Sequence, residues 1–91
     1  MLLKEINDLY NNFSNAVYKP GVLDGKTKEL IALSNSIIAD CIPCINHHYK
    51  KAVEYGASKD EIYEACAISM SISAGSKLAK YSPVIKELEK K

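Results

Sequence analysis

The chain has 91 residues, of which 12 are lysine, none is arginine and 11 are acidic, and its formal net charge is +1. This length fits one domain, and the even spread of charge excludes a basic nucleic-acid surface and an acidic disordered tail. Its apolar runs are too short for a membrane span or a secretory signal, so we expect a cytosolic protein without a membrane partner.

The first two predicted helices are separated by a clear stop signal. Apolar residues recur at intervals of three and four over residues 3 to about 17, which predicts an amphipathic helix. Lys19, Pro20 and Gly21 end it. A second helix is predicted from about residue 26 to 39, with Asp24 or Thr27 as its cap. Its apolar residues cover much of its circumference, so we expect it to be central in the fold.

Two further helices follow a break at Cys41. Pro43 supports a helix start there, because proline is tolerated in a first helical turn. This third helix runs to about residue 55, and Gly56 is its expected stop. Ser58 and Glu61 have the spacing of a capping box that begins a fourth helix. The residues of that helix predicted to face inward are Ile62, Ala65, Cys66, Ile68, Ser69 and Ile72.

The end of the chain predicts one more helix. Residues 71–75 are mostly small, which predicts a kink or the close approach of two helices. Ser82 and Pro83 follow the pattern of a cap and a first helical residue, so a short helix is expected over residues 84–89. Strand-like alternation is absent from every segment. The sequence therefore predicts one all-α domain over residues 1–91, a bundle of about five helices.

The strongest chemical signal is the pair Cys41 and Cys44. Two cysteines separated by two residues at a helix N-terminus can form a disulfide with little backbone movement. The free N–H groups and the positive dipole end stabilise a thiolate there. A thiolate stabilised in this way is both a well-populated nucleophile and a good leaving group in thiol–disulfide exchange. The pair therefore predicts a redox site.

His48 and Glu29 are the residues expected to assist these cysteines. His48 lies four residues after Cys44 and so on the same helix face, where an imidazole can take the thiol proton. Glu29 can orient that imidazole if the second and third helices pack antiparallel. His47 points about 100° away and is expected at the surface or an interface.

Two other readings use the same residues. Cys41, Cys44, His47 and His48 are zinc ligand types, so a structural zinc module is the main alternative. Adjacent histidines on one helix diverge too far for both to bind one ion, however, and Cys66 is isolated downstream. We expect Cys66 to be a buried small hydrophobe. The third reading is a non-catalytic scaffold with the same fold.

Together, Glu29, the Cys41–Cys44 pair and His48 resemble the signature of the AhpD-like (alkylhydroperoxidase) branch of the carboxymuconolactone decarboxylase family. The resemblance extends over residues 29–81. It implies an AhpD-like helical bundle that assembles as a homotrimer or homohexamer. The 47% hydrophobic content, generous for so short a chain, fits such an assembly.

The resemblance also implies a thiol peroxidase. Its substrate would be a hydroperoxide or a protein disulfide, its partner a thiol reductant protein, and it would need no metal or organic cofactor. Glu29 and His48 would relay a proton to Cys44, although Cys41 lies nearer the helix tip and the order of attack stays open. Pro43 stands where AhpD has a histidine. The decarboxylases that name the family lack the cysteine pair, which argues against decarboxylation here.

Overall fold

The structure is a computed structural model that describes all 91 residues, and it consists of four α-helices. They are α1 (Leu3–Tyr18), α2 (Gly25–Ile38), α3 (Ile42–Glu54) and α4 (Lys59–Glu89). The prediction of an all-α fold is confirmed, and the first three helices lie close to their predicted bounds. None of the four helices is long and apolar enough to cross a membrane.

Local sequence chemistry explains where the helices begin and end. The Asp24 side chain caps α2 by accepting the Thr27 N–H over 2.8 Å. Ser58 and Glu61 form both hydrogen bonds of the predicted capping box at the start of α4. Gly56 follows α3 with a φ of 87°, a left-handed conformation that glycine adopts without steric strain.

The prediction of a separate last helix is wrong, because α4 is one helix of 31 residues that contains Pro83. Good helix formers such as Leu78 and Ala79 continue the helix up to Ser82. Proline has a helix-compatible φ and removes one N–H donor, so the helix can pass through it at a local cost. A serine followed by a proline can stand at the start of a helix or inside one. The pair Ser82 and Pro83 alone could not distinguish these two positions. Residues 71–75 are likewise helical, and a Cβ added at Gly75 would meet no atom within 4 Å.

The core lies where α2 packs against α3 and the first half of α4, so the central place predicted for α2 is confirmed. All ten buried residues lie between Gly25 and Ser69, and Leu33 is the largest apolar one that is fully enclosed. Ile68 and Ile72 were predicted to face inward, but each is 58% exposed. Both line an open groove between α2 and α4 and do not reach the core.

α1 and the last third of α4 contain no buried residue. The chain exposes 7202 Å², whereas a compact folded protein of its mass exposes about 5,300 Å². Its radius of gyration is 17.8 Å, compared with about 12 Å for a compact domain of this length. Much of the apolar surface of α1 and of the last third of α4 is therefore not covered by any other part of the chain.

Candidate active site

Cys41 and Cys44 lie at the junction of α2 and α3 and are joined by a disulfide, with their Cα atoms 5.2 Å apart. Cys41 is the N-cap of α3, and its sulfur accepts the Cys44 N–H over 3.3 Å. Asp40 has a φ of 54°, and this left-handed residue turns the chain from one helix into the next. The Cys41 N–H bonds to the carbonyl of Ser36 over 3.0 Å, which fixes the cysteine pair against the end of α2.

Glu29 and His48 form a buried hydrogen bond between α2 and α3. The His48 Nδ1–H donates to Glu29 Oε2 over 2.6 Å, and the two residues are only 8% and 3% exposed. The two helices pack side by side, as the sequence argument required. With Nδ1 held by a carboxylate, the imidazole orientation is fixed and Nε2 is the nitrogen left to exchange a proton.

Two aromatic rings border His48. Tyr18, the last residue of α1, has its ring centroid 4.8 Å from that of His48. The His47 ring meets His48 edge-on at 4.9 Å, and His47 itself is exposed, as its position on the helix predicted. Burial raises the pKa of the Tyr18 phenol above 10.0, and the negative charge of Glu29 raises it further. The phenol is therefore protonated at neutral pH.

Sequence reasoning did not find Tyr18. The apolar spacing of the first helix ended at about residue 17, and Tyr18 lay beside the stop signal with no predicted partner. Its contact with His48 joins residues 30 positions apart, which only the packing of α1 across α2 and α3 creates. We find no signal in the single sequence that would have indicated it.

A cavity of about 430 Å³ opens beside Cys44 and His48. Much of its wall is apolar, with Leu23 from the connector and Ile31 and Ala32 from α2. Cys44 lines this cavity and Cys41 does not. Of the two cysteines, Cys44 is therefore the one that shares a cavity with the His48 imidazole.

The zinc alternative needs both cysteines as free thiolates, whereas their sulfurs are here joined in a disulfide. No three side chains among histidine, cysteine, aspartate and glutamate converge on a point that could hold a metal ion. Cys66 is a free, half-buried residue on α4, so it is less enclosed than we predicted. The predicted residues form two linked pairs: Glu29 is hydrogen-bonded to His48, Cys41 is bonded to Cys44, and Cys44 and His48 line one cavity. This arrangement suits proton and thiol chemistry.

Comparisons with known proteins place this geometry in a family context. The family model described as carboxymuconolactone decarboxylase family matches residues 4–87. A Paracoccus denitrificans protein named uncharacterized protein 4 in cox locus is 32% identical over 84 residues, which is 92% of this chain and 76% of that protein.

Two crystal structures resemble the fold. One, of a Methanobacterium thermoautotrophicum protein, has a TM-score of 0.81 and 32% identity, and the match covers 91% of this chain and 90% of that one. The other is a carboxymuconolactone decarboxylase family protein of Thermotoga maritima, whose name links it, as a possibility, to an antioxidative response. It has a TM-score of 0.67 and 36% identity, with 92% and 93% of the two chains covered.

Proposed function

The chain belongs to the carboxymuconolactone decarboxylase family, and we propose that it acts as a thiol peroxidase and disulfide oxidoreductase. The observation that carries the proposal is the cluster itself: a Cys41–Cys44 disulfide beside a buried Glu29–His48 pair. The antioxidative link in the name of the Thermotoga relative supports the same direction. The assigned roles are Cys44 as attacking thiolate, Cys41 as resolving thiol and His48 as base, with Glu29 orienting it.

The proposed cycle begins with the reduced pair. His48 takes the proton of Cys44, and the thiolate attacks the O–O bond of a hydroperoxide. The sulfur is oxidised to a sulfenic acid, and the alkoxide leaves as an alcohol with the proton from His48. The Cys41 thiol then displaces the sulfenic oxygen as water, which forms the disulfide. A dithiol reductant protein restores both thiols by two exchange steps.

Placing Cys44 first in this cycle rests on the cavity. Cys44 and His48 line the same cavity, one wall of which is apolar side chains of α2. Cys41 lies at the helix tip, where its sulfur accepts the Cys44 N–H and is well placed to resolve an oxidised neighbour. The same dithiol can reduce a disulfide of a partner protein by thiol–disulfide exchange.

The test uses the reduced protein and one equivalent of cumene hydroperoxide, followed by alkylation and mass spectrometry. We expect rapid formation of the Cys41–Cys44 disulfide. Cys44→Ser should lower hydroperoxide consumption at least about a thousandfold with unchanged helical content, because it removes the nucleophile. Cys66→Ser is the control and should react at the wild-type rate.

Two results would contradict the proposal. One is a Cys44→Ser protein that consumes hydroperoxide at the wild-type rate. The other is a pair of unreactive cysteines with stoichiometric zinc after purification without added metal, which would favour the zinc module. Turnover also needs a reducing environment, so we propose a cytosolic location, where protein disulfides are rapidly reduced.

We also propose that the chain assembles as a homotrimer or homohexamer. The support is the surface area: the chain exposes 7202 Å², about 1,900 Å² more than a compact protein of its mass. If each of two partners buried that excess, the total would be about 3,800 Å², which is the size of an obligate oligomer interface. Light scattering over a range of concentrations should give the mass of three or six chains. A single-chain mass at every concentration would overturn this proposal.

A further inference from the structure

α1 is attached to the rest of the chain at its C-terminal end. The Lys28 ammonium on α2 donates to the carbonyl oxygens of Val17 and Lys19 over 2.8 and 2.7 Å. These carbonyls belong to the last turn of α1 and the residue that follows it, where helix carbonyls have no partner within the helix. A cation at this negative end of the helix dipole is favourable. Lys28 therefore fixes the end of α1 against α2.

The residue between these two carbonyls is Tyr18. Its ring packs on the His48 imidazole, with the centroids 4.8 Å apart and the planes tilted by 42°. Tyr18 lines the cavity that holds Cys44 and also a second, more polar cavity of about 510 Å³ that reaches Glu29. The phenol ring thus stands between two openings, next to the buried Glu29–His48 hydrogen bond.

We propose that Tyr18 is a positioning residue for His48 and that Lys28 holds it in place. The ring restricts the imidazole to the orientation in which Nδ1 bonds to Glu29, and it shields that bond from water entering through either cavity. This inference rests on the proposed role of His48 as the base, since a base acts efficiently only when its free nitrogen is held in place.

The ionisable groups around His48 come from all three of the first helices. Glu29 on α2 accepts the Nδ1 proton, and Tyr18 on α1 covers the ring as a neutral phenol. His47 touches the ring edge from the same helix. Lys28 lines the cavity that Cys44 and His48 share, although its ammonium is bound to the carbonyls of α1. Tyr10 on α1 also lines that cavity.

The test measures how fast the His48 Nδ1 proton exchanges with water, by NMR on the ¹⁵N-labelled protein. Tyr18→Ala should speed exchange about tenfold or more, because it opens the shield. Tyr18→Phe keeps the ring and should stay near the wild-type rate. Lys28→Met should speed exchange as much as Tyr18→Ala does. Lys28→Arg should keep the wild-type exchange rate, because the guanidinium retains donors for both carbonyls. Lys4→Met, at the other end of α1, is the matched control.

The same variants are assayed for disulfide formation with cumene hydroperoxide. Tyr18→Ala and Lys28→Met should each slow that reaction about tenfold. Wild-type proton exchange in either Tyr18→Ala or Lys28→Met would overturn the proposal. If the wild-type protein forms no disulfide with hydroperoxide, the proposed function fails. The exchange rates would still decide the role of Tyr18, so the two failures are distinguishable.

Discussion

Residues 25–69 and the two outer segments, α1 and residues 70–91, are equally helical but differ in burial. The inner region contains all ten buried residues, and the outer segments contain none. Yet the outer segments are rich in large apolar side chains, among them Phe13 at 69% and Leu78 at 67% exposure. Apolar periodicity therefore predicts a helix but does not indicate whether the same chain covers its apolar face.

The inner region is also unusual in what it buries. Glu29, Ser36, His48 and Ser69 are four of its ten buried residues, and all are polar. Each is hydrogen-bonded, and no buried side-chain nitrogen or oxygen lacks a partner. The Glu29–His48 pair of the candidate site is therefore part of the core, which is small and contains few apolar side chains.

The largest contrast between the two regions should come from leucine truncations. Leu33 is 1% exposed, so Leu33→Ala should lower the free energy of unfolding by about 3 kcal/mol through lost burial and a cavity. Leu78→Ala should change it by less than about 0.5 kcal/mol in the dissociated chain. Chemical denaturation at several protein concentrations measures both. Equal losses of unfolding free energy from the two substitutions at every concentration would show that Leu78 is packed within the single chain.

A second substitution tests whether the buried Glu29–His48 pair contributes to the reaction with hydroperoxide. Glu29→Gln keeps the side-chain volume but removes the charge that orients His48, so disulfide formation with hydroperoxide should slow about a hundredfold. Glu5→Gln on the exposed face of α1 is the control and should have the wild-type rate. Stopped-flow measurement of the reaction separates these outcomes, and a wild-type rate in Glu29→Gln would restrict the pair to a structural role.

Two glycines allow the same substitution to be compared in both regions. A Cβ at Gly25 would collide with the Tyr55 ring, so Gly25→Ala should displace that ring and cost about 1–2 kcal/mol. Gly75 has open space around it inside α4, so Gly75→Ala should stabilise the protein by about 0.5–1 kcal/mol. Denaturant unfolding gives both signs. Adding Tyr55→Ala should remove most of the Gly25→Ala penalty, and an undiminished penalty would contradict the collision.

The smallest effect concerns the exposed ion pair that joins the first turns of α2 and α4. Lys26 Nζ and Glu61 Oε2 are 2.8 Å apart, and the Lys26 ammonium and then the Ser58 N–H lower the pKa of Glu61 below 4.5. A carboxyl with a lowered folded-state pKa stabilises the fold above its unfolded pKa. That contribution is lost as the pH falls through the folded value.

Glu61→Gln should therefore flatten the decline of stability below about pH 4.5, with little change in the shape of the curve at neutral pH. Thermal unfolding between pH 3 and 7 measures the effect. Lys26→Met should flatten the same window, because it removes the main cause of the shift. If stability falls as steeply with pH in both variants as in the wild type, then other carboxyl groups cause the loss of stability at acid pH.

The single sequence predicted the first three helices and the candidate site residues because both depend on local chemistry. Caps such as Asp24 and the Ser58–Glu61 box act over three residues, and Cys41, Cys44 and His48 lie within two turns of one helix. Only Glu29 required an assumption about packing. That assumption was that α2 and α3 run antiparallel about a short turn, and the 2.6 Å bond to His48 agrees with it.

Tertiary structure decided everything that depends on distant residues. It left Ile68 and Ile72 uncovered and brought Tyr18 onto His48. Residue spacing along a helix fixes which side chains share a face, but burial and ring contacts depend on which other helix passes there. In this protein the sequence therefore specified the chemical groups of the site, and the packing of α1 and α2 specified their surroundings.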